Sequence, residues 1–168
     1  MKKLFLIPGL LMMVSSSLGA SNKGKLILSY KGIDLGEIVD FDDNLENDEI
    51  IVKVENFLAK IFVKYKDKVR VAAKEKDDDC FFIRDKKNII DLLKKVKNLD
   101  SEMTTNIFKE KNKKIDIKCD IKNNNKDCKL FYEKNGKLAT EAKCKFKDSK
   151  LESFDFPYKD IKIYRREN

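Results

Sequence analysis

Histidine and tryptophan are both absent from the 168 residues. Without histidine the chain has no Ser-His or Cys-His nucleophile–base pair and no imidazole-ligated metal. The six glycines include no closely spaced group, so no Gly-rich phosphate loop is present. No Pro/Gly/Ser linker divides residues 21–168, and no apolar run reaches the ~20 residues of a membrane-spanning helix. Carboxylates are plentiful, 29 in all, but their number lets no pair stand out as an acid–base couple. These absences argue for a non-catalytic protein with no small-molecule cofactor.

What is present begins with Met1-Lys2-Lys3, a positive start followed by an apolar run from Leu4 to Val14 that only Pro8 and Gly9 interrupt. Small and polar residues from Ser15 lead to Ala20, so residues 1–20 read as a signal peptide cleaved after Ala20. Export to the periplasm or the extracellular space is therefore expected. No cysteine follows the apolar run to take an acyl anchor, and no transmembrane anchor remains after cleavage. Removing 20 of 168 residues leaves 148, the size of a single domain, and lowers the net charge from +8 to +6 with the loss of Lys2 and Lys3.

The four cysteines, Cys80, Cys119, Cys128 and Cys144, all follow residue 20. An even count in an exported chain predicts two disulfides, with three possible pairings. A zinc site has little support, since no C-x2-C pair and no histidine occur.

Lys25 to Tyr30 reads as a strand and Gly32 to Phe41 as an irregular connection. The acidic patch of Asp40, Asp42, Asp43, Glu46, Asp48 and Glu49 has a calcium-loop composition. Its spacing does not fit, because Leu45 stands where the turn needs Gly and Ile51 where a bidentate Glu belongs. The patch reads instead as an acidic lead into a helix. Ile50, Ile51, Val54, Phe57, Leu58 and Ile61 recur at helical spacing and predict a helix from Asp48 to Lys60, with the β-branched run Ile50 to Val54 allowing a strand in its place. Ile61, Val63 and Tyr65 against Val69 and Val71 suggest a short hairpin across Lys66-Asp67-Lys68. The turn Asp77-Asp78-Asp79 leads to a buried strand, Cys80 to Ile83. From Asp85 the period changes: Ile89, Leu92, Leu93 and Val96 form one stripe opposite Lys86, Asp91, Lys94, Lys95 and Lys97, a helix with Asp85 at its start.

The last third alternates strictly. Ile115, Ile117, Cys119 and Ile121 form a dry face, Asn123-Asn124-Asn125 a turn, and Cys128, Leu130 and Tyr132 the next dry face. After Asn135-Gly136 the dry face continues through Leu138, Ala142, Cys144 and Phe146, and Phe154, Phe156 and Tyr158 follow in a strand that Pro157 marks as an edge. Cys119, Cys128 and Cys144 thus share one face. If Asn135-Gly136 belongs to a three-residue loop, Cys128 stands opposite Ala142 with Cys144 one diagonal away, and Cys119–Cys128 and Cys128–Cys144 are both within reach. The fold class expected is α+β, an antiparallel β-sheet meander with one or two packed helices. It forms a single domain over 21–168, with the hairpin meander at about 104–164.

Two stretches can be superposed: Lys111 to Ile115 with Cys119 and Ile121 to Asn123, and Lys134 to Leu138 with Cys144 and Phe146 to Asp148. The second, Phe131-Tyr132-Glu133-Lys134-Asn135-Gly136-Lys137-Leu138-Ala139-Thr140-Glu141, followed by Phe146 to Leu151, resembles the variant MORN repeat of YwqK-like antitoxins. Asp148-Ser149 takes the place of the second Asn-Gly. The resemblance implies repeated hairpins and a binding rather than catalytic role, and it assigns no functional residue.

The expected function is that of a small exported binding or envelope-structural protein whose partner is a protein. One alternative is a polyanion-binding surface protein using Lys129, Lys143, Lys145, Lys147 and Lys150 on the wet face of the meander. Another is an antitoxin-like or immunity protein of the MORN-variant type.

Overall fold

Short alternating apolar stretches separated by two-residue turns make a chain dominated by strands. The computed structural model describes residues 24–76, 79–85, 88–100, 105–110 (backbone only), 112–157 and 160–167. The expected cleavage after Ala20 lies outside these residues, as do Asp77, Asp78, Lys86, Lys111 and Tyr158.

The chain runs through β1 (Lys25–Tyr30), β2 (Ile33–Val39), α1 (Phe41–Glu46), β3 (Glu49–Val54), α2 (Phe57–Phe62), β4 (Lys68–Ala72), β5 (Phe81–Arg84) and α3 (Ile89–Lys97). It continues through β6 (Thr105–Glu110), β7 (Lys113–Lys122), β8 (Asn125–Lys134), β9 (Lys137–Lys147), β10 (Lys150–Phe156) and β11 (Ile161–Arg166). All eleven strands form one sheet in the order β5-β4-β3-β2-β1-β11-β10-β9-β8-β7-β6. The β4–β5 pair is parallel and the other neighbours antiparallel, so the sheet is mixed. Because β1 pairs with β11, the two ends of the described chain meet in the middle of the sheet.

Four hairpins turn on two residues that both take positive φ: Lys31-Gly32, Asn123-Asn124, Asn135-Gly136 and Asp148-Ser149. That is the type I′ geometry whose twist matches the flanking strands. Within the meander the turns are also tied to one another. Asn135 N donates to Asn112 O at 2.8 Å, and at the other end Ser149 N donates to Asn124 O at 3.2 Å.

One face of the sheet is apolar from β4 to β7. Leu28, Val52, Val71, Ile117, Leu130, Phe154 and Ile163 on that face are each at most 2 % exposed, and α1, α2 and α3 contribute to the same core cluster. Gly36 makes the N-terminal side possible. It has φ +149, and a Cβ built there would fall 1.9 Å from the Lys53 carbonyl oxygen. Only glycine lets β2 and β3 approach this closely.

Several expectations are corrected. Gly32 to Phe41 is largely a strand, and a bulge hides it: Leu28 pairs with Gly36 and Ser29 with Asp34, leaving Leu35 as the extra residue, fully buried. The helix expected over Asp48 to Lys60 is β3 followed by α2. The chain breaks at Glu55-Asn56, where the Asn56 side chain caps α2 by accepting from Ala59 N at 2.7 Å. The first arm of the hairpin expected at Ile61 to Val71 is therefore the end of α2 at Ile61 and a turn from Val63 to Tyr65. The strand containing Phe81 to Ile83 exists but lies at the sheet edge, half-buried. The strand ending at Phe156 is interior, between β9 and β11, because Pro157 stands just past it, where the ladder needs no N–H. Among the described residues three helices are present where one or two were expected, and β11 is an additional strand.

Candidate binding surfaces

The meander sets three of the four cysteines in a row. Cys119 lies opposite Cys128, and Cys128 lies opposite Cys144. The Asn135-Gly136 turn is a two-residue one followed by a bulge at Tyr132/Glu133, so Cys144, not Ala142, faces Cys128. The same bulge moves Leu138 off the dry face, and it is 59 % exposed. Cys119 and Cys128 form a disulfide with Cα atoms 4.1 Å apart, the spacing of a narrow, non-hydrogen-bonded pair. A strand residue turns both backbone groups to one side, so Cys128 and Cys144 form the wider pair of ~5.5 Å and their side chains stand further apart.

Cys80 and Cys144 carry thiols, so one disulfide forms where two were expected. Seven strand spacings of ~4.8 Å separate β5, beside Cys80, from β9, far beyond the reach of a disulfide. Burial pushes the Cys144 thiol well above its usual range, so it is a poor nucleophile and serves as core.

Lys129, Lys143, Lys145, Lys147 and Lys150 lie together on the wet face of β8 to β10, as expected. Lys118, Lys129 and Lys143 stand directly opposite one another across three strands, and Lys147 faces Lys150 at the hairpin end. The face is not uniformly basic. Lys145 pairs with Asp127 at 3.0 Å and Lys129 with Glu141 at 3.7 Å, while Lys118 stands 5.5 Å from the centre of the Phe131 ring. Lys145 and Lys147 also border a shallow cleft of about 330 Å³ that includes Asp120 and Asp127.

A third surface was not singled out from the sequence. Among the described residues five large apolar side chains are exposed, and four belong to α2 or the turn after it: Phe57 at 70 %, Leu58 at 71 %, Ile61 at 47 % and Tyr65 at 69 %. The inner side of the helix buries Ala59 and Val63 completely and sets Phe62 against Tyr30 and Phe81, each with ring centroids 6.0 Å away. Apart from Lys60 the helix is apolar, on its open side as well as its packed one. Lys64 and Tyr65, with φ of 55° and 61°, are successive non-glycine residues in the left-handed region. Beneath α2 a cleft of about 410 Å³ is lined by Tyr30, Phe62, Phe81, Ile89 and Ile161, with Lys31 and Arg84 contributing charge. Its size falls in the range of small-ligand sites. The Asp85 carboxylate at its border is engaged by the N–H groups of Ile89 and Ile90.

Comparison of the chain with protein-family models, with curated proteins and with solved structures finds no match.

Proposed function

We propose that the protein is a small exported, non-catalytic binding protein of the cell envelope, and that it engages its partner through the outward face of α2. The observation carrying this reading is the gathering of Phe57, Leu58, Ile61 and Tyr65 on one exposed surface, because contiguous apolar patches on a soluble surface mark interaction sites. The Cys119–Cys128 bond is compatible with an oxidising compartment, and the signal-like start of the chain supports export. A chain without histidine favours binding over catalysis. The test is sedimentation of native envelope material with the protein recovered from its host. The wild type should sediment with the envelope, and the variant Phe57→Ser/Leu58→Ser should stay in solution. Equal partition of the two would sink the reading.

A second reading, polyanion binding on the wet face, is favoured by the row Lys118, Lys129 and Lys143, since like charges directly opposite repel and an anion would relieve them. It predicts heparin affinity that falls steeply with salt.

A further inference from the structure

We propose that the outward face of α2 and its following turn docks onto an anionic lipid bilayer surface. This rests on the binding role just described and names the partner for that surface. Residues 53 to 68 hold Lys53, Lys60, Lys64, Lys66 and Lys68 against only Glu55 and Asp67. The two acids are already engaged, Glu55 by Lys25 at 2.8 Å and Asp67 by Lys60 at 2.9 Å. Lys66 reaches Asp79 only at 3.8 Å, and Lys64 has no carboxylate partner among the described residues. Lys53 and Lys68 stand opposite each other but on the other face of the sheet, since Val52, Val54 and Val69 beside them point into the core with α2. The rim of the helix is Lys60, Lys64 and Lys66. The surface is therefore an apolar centre with a cationic rim, the arrangement by which interfacial helices sink aromatic and aliphatic groups between acyl chains while lysines meet phosphate headgroups.

Two further features fit this occupant. Phe57 and Ile61 stand four residues apart and line one side of α2, and Tyr65 in the turn that follows is exposed as well. The backbone of that turn is left-handed at Lys64 and Tyr65, and the Tyr65 side chain is exposed. Conformational strain of this kind persists where the surroundings hold it in place, and Tyr65 N donates to Lys60 O at 2.6 Å. The acids beside this surface are paired within the chain, Asp67 by Lys60, which leaves Lys64, and Lys66 with its long contact to Asp79, for an anionic partner.

The test uses the protein recovered from its host with vesicles of phosphatidylcholine, with and without phosphatidylglycerol. Wild type and variants are recovered in the same way and differ only at the named residues, so any contribution of the N-terminus is common to all. Binding should require phosphatidylglycerol and should weaken roughly a hundredfold in Phe57→Ser/Leu58→Ser, whose side chains are already exposed and whose loss leaves the core intact. In Lys64→Gln/Lys66→Gln it should weaken roughly tenfold or more. Because the chain has no tryptophan, Leu58→Trp supplies a single reporter whose emission should shift to the blue on anionic vesicles. Binding that ignores these substitutions, or a reporter that stays in water, overturns the proposal. Self-association through α2 without vesicle binding overturns it in favour of a second copy. Retention on native envelope without binding to lipid vesicles overturns it too, and leaves the binding role standing with a protein as partner.

Discussion

The two flanks of the sheet, β1 to β5 and β6 to β11, differ in how neighbouring strands are joined. From β6 to β10 each strand pairs with the next in sequence, and three two-residue turns set the register from β7 onward. From β2 to β5 the connections are α1, α2 and the residues between Ala72 and Phe81, and β1 finds its second partner, β11, at the other end of the chain. The meander is thus specified locally, by turn chemistry and a dry–wet alternation. The N-terminal flank depends on fits between backbones that meet only after the chain has folded.

Gly36 and Gly136 offer the sharpest way to break this contrast. Gly136 has φ +71 but nothing within 4 Å of the position a Cβ would take, so Gly136→Ala costs only local strain, about 1 kcal/mol. Gly36→Ala drives a methyl group into the Lys53 carbonyl and forces β2 from β3, a loss of about 3 kcal/mol or more. Urea denaturation of the two variants measures both. Similar losses would show that the flanks do not differ in the way described.

The same contrast explains which parts of the fold were legible beforehand. In β7 to β9 one face is wet, so Ile115 and Ile117 alternate with charge and Leu130 and Tyr132, though separated by Phe131, sit between Lys129 and Glu133, and the period can be read directly. In β2 the bulge at Leu35 breaks the period, and in β3 the unbroken Ile50-Ile51-Val52 obscures it, so helical spacing across Glu55 gave a false continuity. The lysine face was placed correctly, but its neutralisation was not, since the facing of Lys145 and Asp127 depends on turn lengths. The same is true of Cys128 and Cys144. In α2 every residue but Lys60 is apolar, so the pattern does not say which of the apolar sides stays open.

The disulfide offers a second, somewhat smaller effect, placed in the meander. It closes a sequence separation of 9 residues, for which the chain-entropy model gives roughly 2.5 kcal/mol. Reduction should lower the melting temperature correspondingly, with hydrogen exchange accelerating first in β7 and β8. Alkylation of the denatured, unreduced protein should label two thiols, Cys80 and Cys144. Four labelled thiols would remove the bond, and none would restore the expectation of two.

The smallest effect tests how the flanks are coupled, because α3 is held by one at each end. At its N-terminus the Asp85 carboxylate, at the end of β5, accepts from Ile89 N at 2.9 Å and Ile90 N at 3.0 Å. At its C-terminus Lys126 of β8 donates to the Val96 carbonyl at 3.3 Å and to the Lys97 carbonyl, a cation where the helix dipole favours one. Asn88, which precedes the first helical residue, makes no side-chain cap and sits at φ 54. Asp85→Ala should therefore cost about 1 to 2 kcal/mol, as loss of a helix cap does, while Asn88→Gly should be neutral or slightly stabilising because glycine accepts that φ freely. If α3 couples the flanks, Asp85→Ala speeds hydrogen exchange in β8 as well as in β5. A loss confined to α3 and β5 would mean that the meander stands without the helix, and that the flanks are joined only through the pairing of β1 with β11.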